Sequence, residues 1–376
     1  MCTCVAYAPM WWIYDFYIYL PASKTYMSLP TAIVLTNGLL QQVEAKTAHG
    51  LIRGTERFDI IGVLDPVFAG LDAGEVLDGV NRNIPVLATV AEAVEKLGAI
   101  NYCIIGVATV GGRLPPDFLV ILEECIKHKI SLVNGLHEYL SEKPQIVALA
   151  AEYGVELIDV RKPKRRGDLH FWDALIYNVT APIIAVMGMD CAMGKRTTCR
   201  MVKQACDAAG IPAQMIYTGQ TGWLQGGKYG FIFDSTLNDF ISGELEHAIV
   251  SCWQQEKPSV ILLEGQSALR NPSGPCGSEL LVSGNAKHTI LVHAPKRQYY
   301  DHLPEWGRIP PVESEIALIQ AYGSKVIALA LNTEDCTMEE ALEYQKKYES
   351  SLNIPILLPL QQGVEKVVPV IRSLIK

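Results

Sequence analysis

From residue 31 onward, short and nearly continuous apolar runs rich in Val, Ile and Leu alternate with stretches of helical periodicity. A strand that is apolar at every position needs cover on both faces, and strands joined through helices run parallel. The pattern therefore selects α/β domains with parallel sheets sandwiched between helices. In the first series the strands are TAIVLTNG (31–38), FDIIGVLD (58–65), IPVLA at the head of 84–98, NYCIIGVA (101–108), ISLVNG (130–135) and VELIDV (155–160). A helix through Lys46 and His49 follows the first strand, another has Val90, Val94 and Leu97 on one face, and a third covers 116–129. This order predicts a Rossmann-like unit.

The run RKPKRRGD (161–168) combines charge with Pro and Gly and reads as the boundary between two domains, 27–165 and 166–376; a bordering anion pocket is its functional alternative. A second α/β series follows. Its strands are APIIAVMG (181–188), AQMIYTG (213–219), PSVILLEG (258–265), HTILVHAP (288–295), KVIALALN (325–332) and NIPILLPL (353–360), with an amphipathic terminal helix from Gly363.

The 376 residues carry a formal charge of −8, which argues against a broad nucleic-acid surface or an anionic-membrane binder. Residues 5–20 are apolar but contain Pro9 and Asp15, and a bilayer span needs about 20 apolar residues. The first basic residue, Lys24, comes after this run, the wrong order for a secretory signal. Residues 1–26 are thus expected to be a loosely attached extension ahead of the strand that follows Met27. The ten cysteines form no CxxC pair, which reads as buried small hydrophobes in a reducing cytoplasm rather than as zinc ligands or disulfides.

The most specific chemistry lies in AVMGMDCAMGKRTT (185–198), between an apolar strand and a helix. That is where a phosphate loop belongs: backbone N–H groups and the helix N-terminus point at the anion. Gly188 and Gly194 let the backbone approach, Lys195 supplies charge, and Thr197 or Thr198 bonds an oxygen or a metal. Two features depart from the usual loop. Five residues, not four, separate the glycines, and the position after Lys195 is Arg196 rather than Ser or Thr. That position normally holds Mg²⁺, and Thr197 lies about 100° further round the helix. Phosphate binding is thus expected more firmly than metal-assisted hydrolysis. Cys191, at the helix entry, is expected to have a lowered thiol pKa.

The loop GMDCAMGK is similar to that of dethiobiotin synthetase and its P-loop relatives. The resemblance places Asp190 near phosphates and metal and makes VILLEGQ their acidic strand end, with Glu264 at a strand tip facing the loop. More broadly, the segments 45–65, 157–163, GMDCAMGKRTT, YTGQTGW (217–223) and LLEGQSAL (262–269) resemble the D-glutamate N-acetyltransferase-like family over nearly everything after Met27. Asn271-Pro272 departs from the His-Pro expected after EGQ. The resemblance implies a Rossmann-like domain followed by a P-loop domain, a homo-oligomer, and acetyl transfer from acetyl-CoA to the amine of an acidic amino acid. Residues 84–135 also look like the CoA-binding domain of succinyl-CoA ligases, with Gly111, Gly112 and Arg113 at a sheet edge.

Such a reaction needs a base for the amine, N–H donors for the oxyanion and cations for the substrate carboxylates. Glu264 is the candidate base, with Lys195 and Arg270 in the catalytic set. Gly188, Asp190, Cys191, Gly194, Lys195, Arg196, Thr197, Thr198, Gln220 and Thr221 are the candidate cofactor-binding residues. Lys46, Gln266 and Arg297 are the candidate substrate-binding residues, Lys296 is a further cation, and His49 is a second candidate base. Thr197 and Asp190 serve a metal only if Mg²⁺ binds. TGQTGW is expected to be a ligand-facing loop with Trp223 as a wall. Two other readings compete: an ATP- and Mg²⁺-dependent ligase or kinase, and a non-catalytic nucleotide-binding regulator.

Overall fold

The computed structural model describes residues 28–375; the expected extension at 1–26, with Cys2 and Cys4, lies outside the described residues. Two parallel sheets follow one another along the chain. The first contains β1 (Thr31–Leu35), β2 (Asp59–Leu64), β3 (Val86–Leu87), β4 (Tyr102–Ile105), β5 (Ser131–Asn134) and β6 (Leu157–Asp159), in the order β3-β2-β1-β4-β5-β6. Every pair is parallel. This is the doubly wound Rossmann order, in which β1 and β4 are neighbours whose connections leave to opposite sides. Burial on both faces is visible within one strand: Ile33 and Leu35 join one core, while Ala32 and Val34 join the other.

The second sheet contains β7 (Ile183–Gly188), β8 (Ala213–Tyr217), β9 (Tyr229–Gly230), β10 (Val260–Glu264), β11 (His288–His293), β12 (Lys325–Leu331) and β13 (Ile356–Leu357). Its order is β13-β12-β11-β7-β10-β8-β9, so β7, the strand that runs into the phosphate loop, is central. Its core is one continuous cluster, and six of the described cysteines (103, 125, 199, 206, 252 and 276) are buried as expected of small hydrophobes.

Two local devices fix the elements that matter for the site. Buried Asp65, just past β2, accepts hydrogen bonds from Thr36 Oγ1 (2.7 Å), Gly38 N (2.8 Å) and Leu40 N (3.1 Å), so it moulds the turn that leaves β1. The helix Lys46–Ile52 then lies close on the sheet because Gly106 has no side chain: a Cβ there would sit 2.5 Å from Val34 Cγ1 and 3.0 Å from Ala48 Cβ.

The loops at the C-terminal ends of both sheets meet. Thr47 Oγ1 lies 3.2 Å from Thr221 Oγ1, and a Cβ on Gly135, after β5, would come within 2.9 Å of Gln220 Cγ. Since ligands of open α/β sheets bind at these ends, the two domains present their binding edges to each other. TGQTGW is not an open loop: Gln220–Leu224 is a short helix packed between the domains, with Gln220, Thr221 and Gly222 buried.

Candidate functional site

Between β7 and the helix Lys195–Ala208, the loop turns through Ala192 at φ 49° and Gly194 at φ 89°. Among the described residues no side chain caps that helix, and its first internal bond is Thr198 N–H to Gly194 O (2.9 Å). The N–H groups of residues 195–197 therefore lack intrahelical acceptors and face the loop. Lys195 is buried and folds back so that Nζ donates to Asp190 O at 2.6 Å. Its pKa is lowered, first by burial and also by Lys46 and Arg297, against the opposing pull of Cys191 and Asp190. Gly265, past β10, lets this side chain pass: a Cβ there would stand 2.3 Å from Val186 O and 3.2 Å from Lys195 Cδ. Uncapped N–H groups and a desolvated ammonium form a cradle for anionic oxygens.

Asp190 is fully buried and acts within the loop. Its Oδ1 accepts from Asn271 Nδ2 (2.8 Å), and its Oδ2 accepts from Arg297 Nη1 (2.9 Å) and Asp301 N (2.8 Å). Arg297 also donates to Cys191 O and grips Glu334 with two bonds of 2.6 Å. Arg297 therefore braces the loop from behind. Asn271, the departure from His-Pro, falls on this brace. Cys191 Sγ lies 3.4 Å from Ser267 Oγ, and burial raises its pKa, with Ser267 and Lys195 pulling it down. The lowering expected from its place at a helix entry is outweighed by desolvation.

Glu264 ends β10 as a buried carboxylate. Its Oε1 lies 2.6 Å from Arg196 Nη2, and its Oε2 accepts from Thr218 N at 3.2 Å. Thr218 Oγ1 donates to Glu264 O, and Gln266 Nε2 donates to Thr218 O (2.8 Å). Gly222 is required beside this carboxylate, because a Cβ would meet Tyr217 Cβ at 2.3 Å and Glu264 Oε2 at 2.9 Å. Arg196 Nε is buried with no acceptor among the described residues.

The Rossmann-like domain supplies the opposite wall. Lys46 opens the helix Lys46–Ile52 and makes no hydrogen bond or ion pair among the described residues. Lys46 is an exposed residue, but groups of both domains crowd its ammonium. Its pKa is lowered, first by that desolvation and then by Arg161 and Arg196, with Cys191 and Asp301 acting the other way. Arg161, just past β6, ties the domains together: Nε donates to Gly135 O (2.6 Å), Nη2 to Gln220 Oε1 (2.7 Å), and Nη1 pairs with Asp234. The sequence reads Arg161 as part of a domain boundary, with a bordering anion pocket as the alternative; its place directly after a strand end is what carries it to the joint between the domains.

Several expected residues are turned to other tasks. Arg270 bonds Glu315 Oε2 through Nε (2.8 Å) and Ser314 Oγ through Nη1 (2.9 Å), so the guanidinium is already engaged. Lys296 pairs with Glu340 and Asp335 O. His49 Nε2 contacts Leu40 O at 2.7 Å, away from the cleft. Trp223 lies under the Arg57 guanidinium, 4.1 Å from the ring centroid, as packing between the domains rather than as a pocket wall. Gln220 and Thr221 form the joint between the domains. Gly111 and Gly112 both have φ near 65°, and Gly112 O accepts from His137 N and Glu138 N, so this turn is stitched to the loop after β5.

Asp190, Cys191 and Asp301 bring ligand atoms within 4.8 Å of one another. They do not fit a magnesium ion. Asp190 already accepts three hydrogen bonds, one from a guanidinium, and a thiol is a poor ligand for a hard cation that wants octahedral oxygens.

Family models match both halves: a Rossmann-like domain, DUF1611_N, over residues 66–163, and a P-loop domain, DUF1611_C, over residues 170–368. The chain belongs to the DUF1611 family. A crystal structure of a DUF1611 family protein from Anabaena variabilis ATCC 29413 superposes with a TM-score of 0.83 at 24% identity, covering 91% of this chain and 99% of the other. Two curated proteins named D-glutamate N-acetyltransferase are similar in sequence. That from Tritonibacter scottomollicae is 28% identical over 309 residues, 78% of this chain and 87% of the relative. That from a Pseudoalteromonas species is 28% identical over 280 residues, 73% of this chain and 81% of the relative. The family and the two-domain fold therefore agree with the sequence expectation. Among the described residues, no helix is long and apolar enough to cross a membrane.

Proposed function

We propose that this DUF1611 protein is an N-acetyltransferase that moves an acetyl group from acetyl-CoA to the amine of an acidic amino acid. The phosphates of CoA would lie against the N–H groups and Lys195 of the 188–195 loop. The single observation that supports this over ATP chemistry is the state of the two magnesium positions. Asp190 already accepts from Asn271, Arg297 and Asp301 N–H, and the residue after Lys195 is Arg196, which reaches Glu264. A loop built this way suits phosphates that are held rather than cleaved. The names of the two relatives point to the same reaction.

Acetyl-CoA supplies the activated acyl group; the protein orients it and receives the amine. Arg196 Nε, a buried donor without an acceptor among the described residues, suits a substrate carboxylate, and Arg161 makes the opposite wall cationic.

The test incubates the purified protein with acetyl-CoA and each enantiomer of glutamate and aspartate, with EDTA or with Mg²⁺, and follows free thiol and product mass. A parallel arm supplies ATP and Mg²⁺ and follows phosphate. The expected result is an acetylated amino acid and stoichiometric free CoA, unaffected by EDTA. Release of phosphate from ATP without any acetyl transfer would overturn the proposal in favour of a ligase or kinase.

A further inference from the structure

Acetyl transfer to an amine needs a proton acceptor near the attacking nitrogen. The inference below rests on the acetyltransferase reading and asks which group accepts that proton. The carboxylates around the phosphate loop are engaged. Glu264 holds Arg196 and Thr218 N–H. Asp190 carries three donors. Asp234 pairs with Arg161. Asp301 Oδ2 accepts from Asn271 Nδ2 at 3.2 Å. His49 is tied to Leu40 O.

Lys46 differs from all of these. It stands where the C-terminal edge of the Rossmann-like sheet meets the phosphate-loop domain, one residue before Thr47, whose hydroxyl touches Thr221. Among the described residues nothing bonds its ammonium. The charges that face it come from every neighbouring element: Arg161 after β6, Arg196 and Lys195 on the phosphate-loop helix, Cys191 in the loop, and Asp301 beyond β11. Three of those five are permanent or buried cations, which favour an uncharged amine at this point.

We propose that Lys46 Nζ is the general base of the acetyl transfer, reaching the substrate nitrogen across the cleft from the phosphate loop. The substrate ammonium first loses a proton to solvent. As its nitrogen forms the C–N bond with the thioester carbonyl carbon, Lys46 takes the second proton. As the C–S bond breaks, Lys46 returns that proton to the CoA sulfur, so the products are the N-acetyl amino acid and the free thiol. The lowering of the Lys46 pKa agrees in direction with this role, because it favours the uncharged amine that can accept a proton.

Two variants and one labelling measurement test the assignment. Lys46→Arg keeps the charge but cannot accept a proton, and Lys46→Met removes both. Because Lys46 makes no bond among the described residues, both variants should fold, as circular dichroism would show. The expected outcome is a kcat lower by about 10² or more in each, with the KM for the amino acid little changed, and loss of the acidic limb of the kcat–pH profile. A kcat for Lys46→Arg close to that of the unaltered protein would overturn the base role in favour of simple charge binding. Independently of turnover, limiting acetic anhydride near neutral pH followed by peptide mass spectrometry should modify Lys46 ahead of the exposed Lys96; labelling of Lys46 last would overturn the assignment. If the unaltered protein acetylates no acidic amino acid, the acetyltransferase reading itself fails, and the base role falls with it.

Discussion

Arg196, the residue after the phosphate-loop lysine, sets its Nη2 2.6 Å from Glu264 Oε1 at the tip of β10. A basic residue in a position that commonly serves a metal thus turns to a buried carboxylate, and the two sequence features that looked separate are one ion pair. The pair also leaves Arg196 Nε buried without an acceptor among the described residues.

Removing one partner leaves the other charge buried. Arg196→Met should therefore destabilise the protein by about 3 kcal/mol, read as a lower urea midpoint, and should abolish binding of the acidic amino acid. Adding Glu264→Gln to that variant should restore most of the stability but not the binding. A single variant as stable as the parent would show that the pair contributes nothing to the fold.

Arg161 joins the domains through Gly135, Gln220 and Asp234. Arg161→Ala should cost about 3 kcal/mol, since hydrogen bonds from a charged group are each worth about 1.5–3 kcal/mol. It should also separate the unfolding of the two domains. Scanning calorimetry is expected to show two transitions in the variant and one in the parent; an unchanged single transition would argue against this joint.

His293, at the end of β11, gives a pH test of the fold. Its Nε2 lies 3.1 Å from the Tyr348 hydroxyl, its Nδ1 has no partner among the described residues, and burial lowers its pKa from 6.5 to about 4. The unfolded chain therefore binds a proton more readily than the folded one between these values. Its contribution is full above pH 6.5, is lost as the pH falls toward 4, and levels off below, a change of at most about 3 kcal/mol. Denaturation of His293→Phe and the parent across this range should show a smaller acid loss in the variant; identical curves would contradict it.

Much of the fold was legible because the signal is local. The apolar runs at 31–35, 102–105, 183–188 and 260–264 are strands, and the glycine-rich turn before Lys195 is where it was expected. What was not legible depends on contacts distant in the chain. Asp190 reads as a metal ligand until Arg297, 107 residues away, is seen against it. Gln220 and Thr221 read as ligand-binding residues until Arg161 and Thr47 claim them. The helix Asn238–Glu256 carries two buried carboxylates, Glu244 and Glu246. They are buried because they accept from the backbone N–H groups of His170, Asp173 and Ile176, closing the segment that joins the domains. No periodicity carries that information.

The most direct test of metal-free phosphate capture is calorimetric titration of acetyl-CoA, in EDTA, into the parent and Lys195→Ala. The expected result is binding that persists in EDTA and weakens about 100-fold or more when the buried ammonium is removed, as for the loss of a charge-assisted contact with phosphate. Undiminished affinity in Lys195→Ala, or binding of ATP with Mg²⁺ but not of acetyl-CoA, would contradict it.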